Sequence, residues 1–477
     1  MTHGHGHGGS TAVAAPARPG RWIALTLLCL AQAMLVVDIT VVQVALPSIG
    51  ADLDLDRAAL TWVVTTYTVC FGGLMVLGGR IADVLGARRT LVAGLTLFTA
   101  ASLVCGLAAD GAVLIGGRAA QGVGAALLSP AALALITRLF EGAERVRALG
   151  IWAAIGGGGA AVGVLLSGLL TAGPGWEWVF FVNLPVGVAV LAALPAIVPR
   201  DAAEHRGGEI DVPGGLVVTA ATALLIYGLT VAGDEGWTGP ATLVALAAAV
   251  AGYALFAAIE RGARTPLLRL RTLGRRPVVS GMFVMLVASG LMLTLFFLGS
   301  LYLQHTLRLG ALETGLLFLP VAVAVTAGAH LGARLVSRIG GRTVAVAGFG
   351  LVAVGAALLT QVGTGDNAYA ALLPGFLVAV LGIGAAFVTA TSTTLANVPP
   401  GEAGVASGAV NTFHEVGGGV GVAAASTVAA SSIAATTEVS GFADGYLLCA
   451  VAAAVAAVVS LVLVPAGRTA AVTGHGH

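Results

Sequence analysis

Two residues carry charge where the surrounding sequence excludes it. Asp38 lies inside the apolar run WIALTLLCLAQAMLVVDITVVQVALPS (22–48), and Arg118 lies inside a second run at about 112–137. The first run is about the length that crosses ~30 Å of hydrocarbon, and it holds no basic residue to pair with the carboxylate. A charge at that depth costs at least ~2.5–3.5 kcal/mol, so a use for it is expected. A carboxylate shielded from water can take up and release protons. A guanidinium stays charged and needs a partner or water. The two runs cross the membrane in opposite directions. Measured from the same outer face, the residues sit at depths of roughly 12 and 9 Å at ~1.5 Å per residue, so a direct or water-bridged pair is feasible. The competing readings are a neutral packing role for Asp38 and a structural role for Arg118.

A second titratable pair lies in NTFHEVGGGVGVA (411–423), where His414 and Glu415 fall near mid-span. Both can exchange protons, or both can be polar packing groups. Neighbours on a helix point about 100° apart, so one of the two is expected to face a cavity and the other to pack against a helix, with Glu415 favoured for the cavity. Gln32, Gln43, Gln121 and Gln304 are candidate hydrogen-bonding groups for such a cavity. His330, near the end of its run, reads as interfacial.

The elements that position these residues follow from composition. Hydrophobic residues make up 58% of the 477 and charged residues 9%, against about 25% charged in soluble domains. The chain reads as an all-α polytopic membrane protein, because only helices or closed barrels satisfy the backbone in lipid and long continuous apolar runs mean helices. Fourteen such runs are predicted, at about 22–46, 59–77, 91–109, 112–137, 148–172, 178–198, 212–232, 241–259, 279–303, 314–333, 343–362, 369–394, 404–431 and 444–465.

The basic residues are all arginine, and their distribution sets orientation. Arg18, Arg21, Arg80, Arg88, Arg89, Arg138, Arg145, Arg147, Arg200, Arg206, Arg261, Arg264, Arg269, Arg271, Arg275, Arg276, Arg334, Arg338, Arg342 and Arg468 fall on one side, 20 of the 23. Arg57 and Arg308 fall on the other, and Arg118 is within a span. By the positive-inside rule this places both termini in the cytoplasm of a cell-membrane protein and requires an even number of spans. The loop GGRIADVLGARR (78–89) is echoed by LGARLVSRIGGR (331–342) at an equivalent topological position. Two parallel halves are therefore expected. The domain reading is a tail (1–20), a six-helix bundle (21–200), two added helices with linkers (201–272), a second six-helix bundle (273–466) and a tail (467–477).

Five stretches resemble motifs of the major facilitator superfamily, in its fourteen-helix drug:proton antiporter branch. VDITVVQVALPSI (37–49) resembles the helix 1 motif LDxTIVNVALPxI, with Gln43 in place of Asn. GGRIADVLGARR resembles the loop signature GxLaDrxGrkxxl through Gly79, Asp83, Gly86 and Arg88. RAAQGVGAALLSPA (118–131) resembles RxxQGxGaA. The run GGGGAAVGVLLSGLL (156–170) keeps the spacing of the helix 5 motif GxxxGPxxGG at Gly159, Gly163 and Gly168, with Ala160 in place of Pro. GWEWVFFVNLPVG (175–187) resembles WRWIFxINxPxG, and in helix 13 His414 and Glu415 stand where the branch has Arg and Gln. The resemblance implies a proton-coupled exporter of hydrophobic or cationic drugs working by alternating access. Asp38 would be a proton-coupling carboxylate, and the 78–89 loop a latch between the halves. From the residues themselves, Gly159, Gly163 and Gly168 can form a close-packing face, and Asp83 can face the positive end of a neighbouring helix.

Expected partners are a small drug-like molecule, protons and the bilayer, with no nucleic acid and a monomeric state. No cofactor is expected beyond the proton gradient. An ATP-binding GxxxxGK[ST] loop is impossible without lysine, and no connection is long enough for a soluble catalytic domain, so no enzyme activity is expected. A dedicated exporter of one metabolite and a cation-coupled importer are the alternatives. A non-transporting receptor would need neither charge in the bilayer. Cys29, Cys70, Cys105 and Cys449 lie in apolar runs and read as packing residues. The termini HGHGHGG and GHGH read as disordered tails, with weak metal binding as the alternative.

Overall fold

The computed structural model describes residues 20–55, 57–198, 211–262, 274–363, 367–396, 398, 402–428 and 440–466. Both tails and most of the two linkers flanking the added helices lie outside these. The described residues are helical in α1 (Arg21–Asp52), α2 (Arg57–Leu85), α3 (Ala87–Gly106), α4 (Gly111–Leu139), α5 (Gly142–Ala172), α6 (Trp178–Phe181), α7 (Asn183–Ile197), α8 (Val212–Glu235), α9 (Pro240–Gly262), α10 (Arg276–Leu301), α11 (Ala311–Ile339), α12 (Gly341–Leu359), α13 (Ala368–Leu395), α14 (Ala403–Val428) and α15 (Ser440–Leu463). A π-turn over Tyr302–Thr306 closes α10. No strand occurs among the described residues.

Twelve spans among the described residues are long and apolar enough to cross a membrane, with α6 and α7 together forming one of them. The two other segments expected to span are α5 and α14, 31 and 26 residues long. Several helices run past their apolar stretch into polar residues. α5, for instance, starts at Gly142 and includes Glu144, Arg145 and Arg147. Backbone hydrogen bonding does not stop where hydropathy does.

Helix ends are closed by side chains that satisfy orphan backbone groups. Asp110 accepts from the Val113 N–H at the start of α4, and Asp211 from the Gly214 N–H at the start of α8. At the Arg-rich end, arginines donate to terminal carbonyls of other helices. Arg88 reaches Pro195 at 2.9 Å and Arg342 reaches Val464 at 2.8 Å.

The two halves repeat one local device. A single glycine joins α2 to α3 and another joins α11 to α12. Gly86 has φ 101° and ψ 135°, and Gly340 has φ 88° and ψ 155°. Residues with a side chain rarely adopt this conformation, so glycine is required at both turns. The sequence echo between 78–89 and 331–342 is thus also a repeat of conformation.

Apolar cores form on each side of a seam. One is built by α1–α5 and α7 around Leu28, Phe71, Phe98 and Leu133, and takes Leu395, Ala403 and Ala406 from across the seam. The other is built by α10–α15 around Leu295, Phe318, Phe349 and Phe376, with Val146 and Ala154 of α5. Helix α8 lies over α2 and α14 at one flank. A Cβ on Gly73 would come within 3.3 Å of the Thr219 carbonyl, and one on Gly419 within 3.5 Å of Leu229.

Candidate functional site: a buried ion pair beside a central cavity

The structure brings Asp38 and Arg118 together. Arg118 Nη1 donates to Asp38 Oδ2 at 2.5 Å, with side chains 1% and 0% exposed respectively. Gln121 Nε2 and Asn183 Nδ2 donate to Asp38 Oδ1 at 3.1 and 2.9 Å. Ser102 Oγ accepts from Gln121 at 2.8 Å and from Asn183 at 3.4 Å. Arg118 also donates to Gln121 Oε1 at 2.9 Å and, through Nε, to the Val63 carbonyl at 3.1 Å. Its guanidinium lies 4.2 Å from the Tyr67 ring centre and 6.0 Å from that of Phe180.

Five elements build this cluster: α1, α2, α3, α4 and α7. It is a closed charge-neutral unit in which each buried polar group finds partners, as burial in a low-dielectric interior demands.

Gln121 belongs here and not in the cavity where it was expected. It follows Arg118 by three positions, which puts both side chains on one face of α4. Asn183 and Ser102 were not singled out in the sequence. Asn183 stood within GWEWVFFVNLPVG, and its isolation as the one amide in that apolar stretch was the available signal.

A separate cavity of about 140 Å³ lies between the halves. It is lined from the first half by Gln32, Leu35, Val36, Ile39, Thr40, Phe71, Met75, Ser129 and Trp152, and from the second by Met285, Met292, Leu293, Phe387, Thr391, Asn411, His414 and Glu415. Asp38 is turned to a different face of α1 and stays in the first half.

His414 and Glu415 both border the cavity, which corrects the expectation that only one would. The space is wide enough to meet two directions 100° apart on α14. The His414 ring also packs on Phe387, 5.5 Å between centres. Glu415 has no hydrogen-bond or ion-pair partner among the described residues. Gln32 lines the cavity as expected, and its Oε1 is buried without a partner. Gln304 instead is exposed and donates to Ser300. His330 is exposed. The side chain of Gln43 lies outside the described residues.

Motif residues take structural places. Asp83 Oδ2 accepts from the Val405 N–H at 2.9 Å, in the first turn of α14, across the seam. Its Oδ1 lies 3.6 Å from Arg138. Gly79 is buried in α2, and Arg88 ties α3 to α7 within the first half. Gly159 and Gly163 set α5 against α1: a Cβ on Gly159 would meet Val36 at 2.7 Å, and one on Gly163 would overlap Thr40. The surroundings of Gly168 lie outside the described residues.

Contacts between the halves gather toward the Arg-rich end. Beside Asp83–Val405, Asn411 donates to Ser129 at 3.0 Å. A Cβ on Gly150 would meet that of Ala333 at 2.8 Å, and one on Gly408 the Met75 carbonyl at 2.5 Å. At the opposite end of the first half, the core around Val42, Ile49, Leu114 and Phe180 takes no residue from the second half among the described residues.

Comparison with known proteins places this geometry. A profile of the Major Facilitator Superfamily matches residues 28–422. The puromycin resistance protein pur8 of Streptomyces alboniger is 40% identical over 423 residues, 87% of this chain and 83% of that protein. The lincomycin resistance protein of Streptomyces lincolnensis is 37% identical over 410 residues, 84% and 83% of the two chains. The cephamycin export protein CmcT of Amycolatopsis lactamdurans is 38% identical over 418 residues, 86% and 85%. Among solved structures, the proton:xylose symporter XylE superposes with TM-score 0.67 at 16% identity, covering 94% of this chain and 97% of that one, which shows a shared fold. With the profile spanning most of the chain and relatives this similar over nearly their whole length, the chain belongs to the major facilitator superfamily and is a membrane transporter, not an enzyme.

Proposed function

We propose that this transporter exports hydrophobic or cationic antibiotics across the cytoplasmic membrane in exchange for protons, by alternating access. The observation that carries the reading is the central cavity. Met75, Met285, Met292, Phe71, Phe387 and Trp152 offer an adaptable apolar and aromatic lining, and Glu415 places in it a carboxylate without a partner among the described residues. Such a surface accepts varied apolar molecules and favours those carrying a positive charge. The resistance proteins similar to this chain support a drug-like substrate.

Proton coupling rests on the Asp38–Arg118 unit. It is out of contact with the substrate space, so protonation there acts on helix packing and not on substrate directly. Neutralising Asp38 frees Arg118 and loosens the junction of α1, α4 and α7. The reading takes 21–200 and 273–466 as the moving halves, 201–272 as an added pair, and a monomer as the working unit. With the Arg-rich end cytoplasmic, the contacts around Asp83 hold the cytoplasmic side closed, which supports an outward-facing arrangement.

A dedicated exporter of one metabolite is the second reading, favoured by the cephamycin export protein among the relatives. Efflux of a substrate panel from a drug-sensitive host, with and without a protonophore, tests both. Protonophore-sensitive export of several unrelated apolar or cationic compounds is expected. Export of one compound alone supports the second reading, and export indifferent to the protonophore refutes proton coupling.

A further inference from the structure

Tyr67 packs its ring on the ion pair and carries a buried hydroxyl that takes no part in it. Its ring face covers the Arg118 guanidinium at 4.2 Å, and its ring packs on Phe71 at 5.6 Å. Phe71 lines the cavity. The residue is 1% exposed, and its hydroxyl is buried without a hydrogen-bond partner. A buried hydroxyl left unpaired is costly, and a phenol in a core ordinarily finds a partner.

The charged groups within electrostatic reach of Tyr67 are Asp38 on α1, Arg118 on α4 and Glu415 on α14. Asp38 and Arg118 already satisfy each other. Glu415 does not: it too lacks a partner among the described residues. It comes from the opposite half, and its Cβ is 3.5 Å from where a Cβ on Gly72 would stand, on the same helix as Tyr67. Among the described residues Tyr67 is thus a donor without an acceptor, and Glu415, packed against the same helix, an acceptor without a donor.

We propose that Tyr67 is a positioning residue that links the buried Asp38–Arg118 pair to the cavity carboxylate, its ring holding Arg118 and its hydroxyl donating to Glu415, directly or through one water, when the halves shift. The hydrogen bond and a cationic substrate compete for the same carboxylate. Substrate arrival thereby releases Tyr67, and with it the ring that packs on Arg118. This rests on the transport reading above.

The test is a double-mutant cycle on the full-length transporter with ethidium as the cationic probe. Tyr67→Phe keeps the ring and removes the hydroxyl, Glu415→Gln removes the carboxylate charge, and the two are combined. Ethidium affinity of purified protein and the pH profile of ethidium export from cells are measured for all four proteins. Tyr67→Phe is expected to change ethidium affinity at least threefold and to displace the pH profile in the wild-type background, and to do neither in the Glu415→Gln background. Tyr67→Leu, which also strips the Arg118 face, should lower thermal stability in both backgrounds. Additive effects, or a Tyr67→Phe protein identical to wild type in affinity, would overturn the link. Should wild-type export prove independent of the proton gradient, the antiport reading fails, while the affinity cycle still decides the link.

Discussion

Replacing Asp38 with Asn keeps the side-chain shape and removes its charge, and the geometry sets what that costs. Asp38 accepts on both oxygens: from Arg118 on Oδ2, and from Gln121 and Asn183 on Oδ1. An amide offers one acceptor and one NH2. In either orientation the NH2 meets a donor, the guanidinium or the two amide nitrogens. Arg118 is 1% exposed and cannot reach water. Removing one partner of a buried ion pair costs about 3–5 kcal/mol. Arg118 keeps the Val63 carbonyl, Gln121 Oε1 and the Tyr67 ring, so the lower end, about 3 kcal/mol, is expected. Asp38→Asn with Arg118→Gln removes both charges together. That double variant should regain ~2 kcal/mol or more relative to the sum of the single changes, as coupled neighbours do. Thermal unfolding of detergent-solubilised protein reads the stability, and export in energised cells reads the coupling. The single variants should melt well below wild type, and the double variant above the level the two losses predict. Proton-driven export should be absent in all three. A single Asn variant that melts with wild type would refute the account of the ion pair, and one that exports like wild type would remove Asp38 from the coupling.

Four further outcomes follow from the same structure. Asp83→Asn takes a formal charge from the start of α14, worth roughly 0.3–1 kcal/mol at a helix N-terminus; transport should change in rate while substrate affinity measured on purified protein holds, and an unchanged rate counts against a latch. Gly163→Val drives a side chain into Thr40 and should cost about 1–3 kcal/mol or more by overpacking, read as a lower melting temperature. Glu415→Gln should weaken export of cationic compounds more than of neutral ones, and equal losses would contradict a charge-recognition role. A cysteine introduced at Glu235, at the end of α8, should react with an impermeant reagent added outside intact cells; labelling only from the cytoplasmic side would invert the topology.

Much of the architecture is legible in the chain because the membrane imposes local rules. A span must be apolar over a fixed length, a charge within it is conspicuous, and basic loops mark one side. Asp38, Arg118 and the helix segments follow from such one-residue or one-segment arguments. The glycines of 156–170 similarly announce a close approach, and the structure identifies α1 as the helix approached.

What the chain could not say is which way each helix faces. An amphipathic helix carries its rotation in its polar stripe, but a helix that is apolar all round has no such stripe. The setting of α4, which turns Gln121 into the ion-pair cluster, and of α14, which brings both His414 and Glu415 to the cavity, is decided by packing against neighbours. The same holds for partners far apart in the chain. Asp83 finds the Val405 N–H 322 positions away, and Asp38 finds Asn183 145 positions away. Span length, helix position and the cost of a buried charge are properties of a segment and its solvent, so the sequence alone determined them. Which groups meet depends on rotations and crossings that only the assembled bundle sets, so the cluster around Asp38 and the wall of the cavity were decided by tertiary structure.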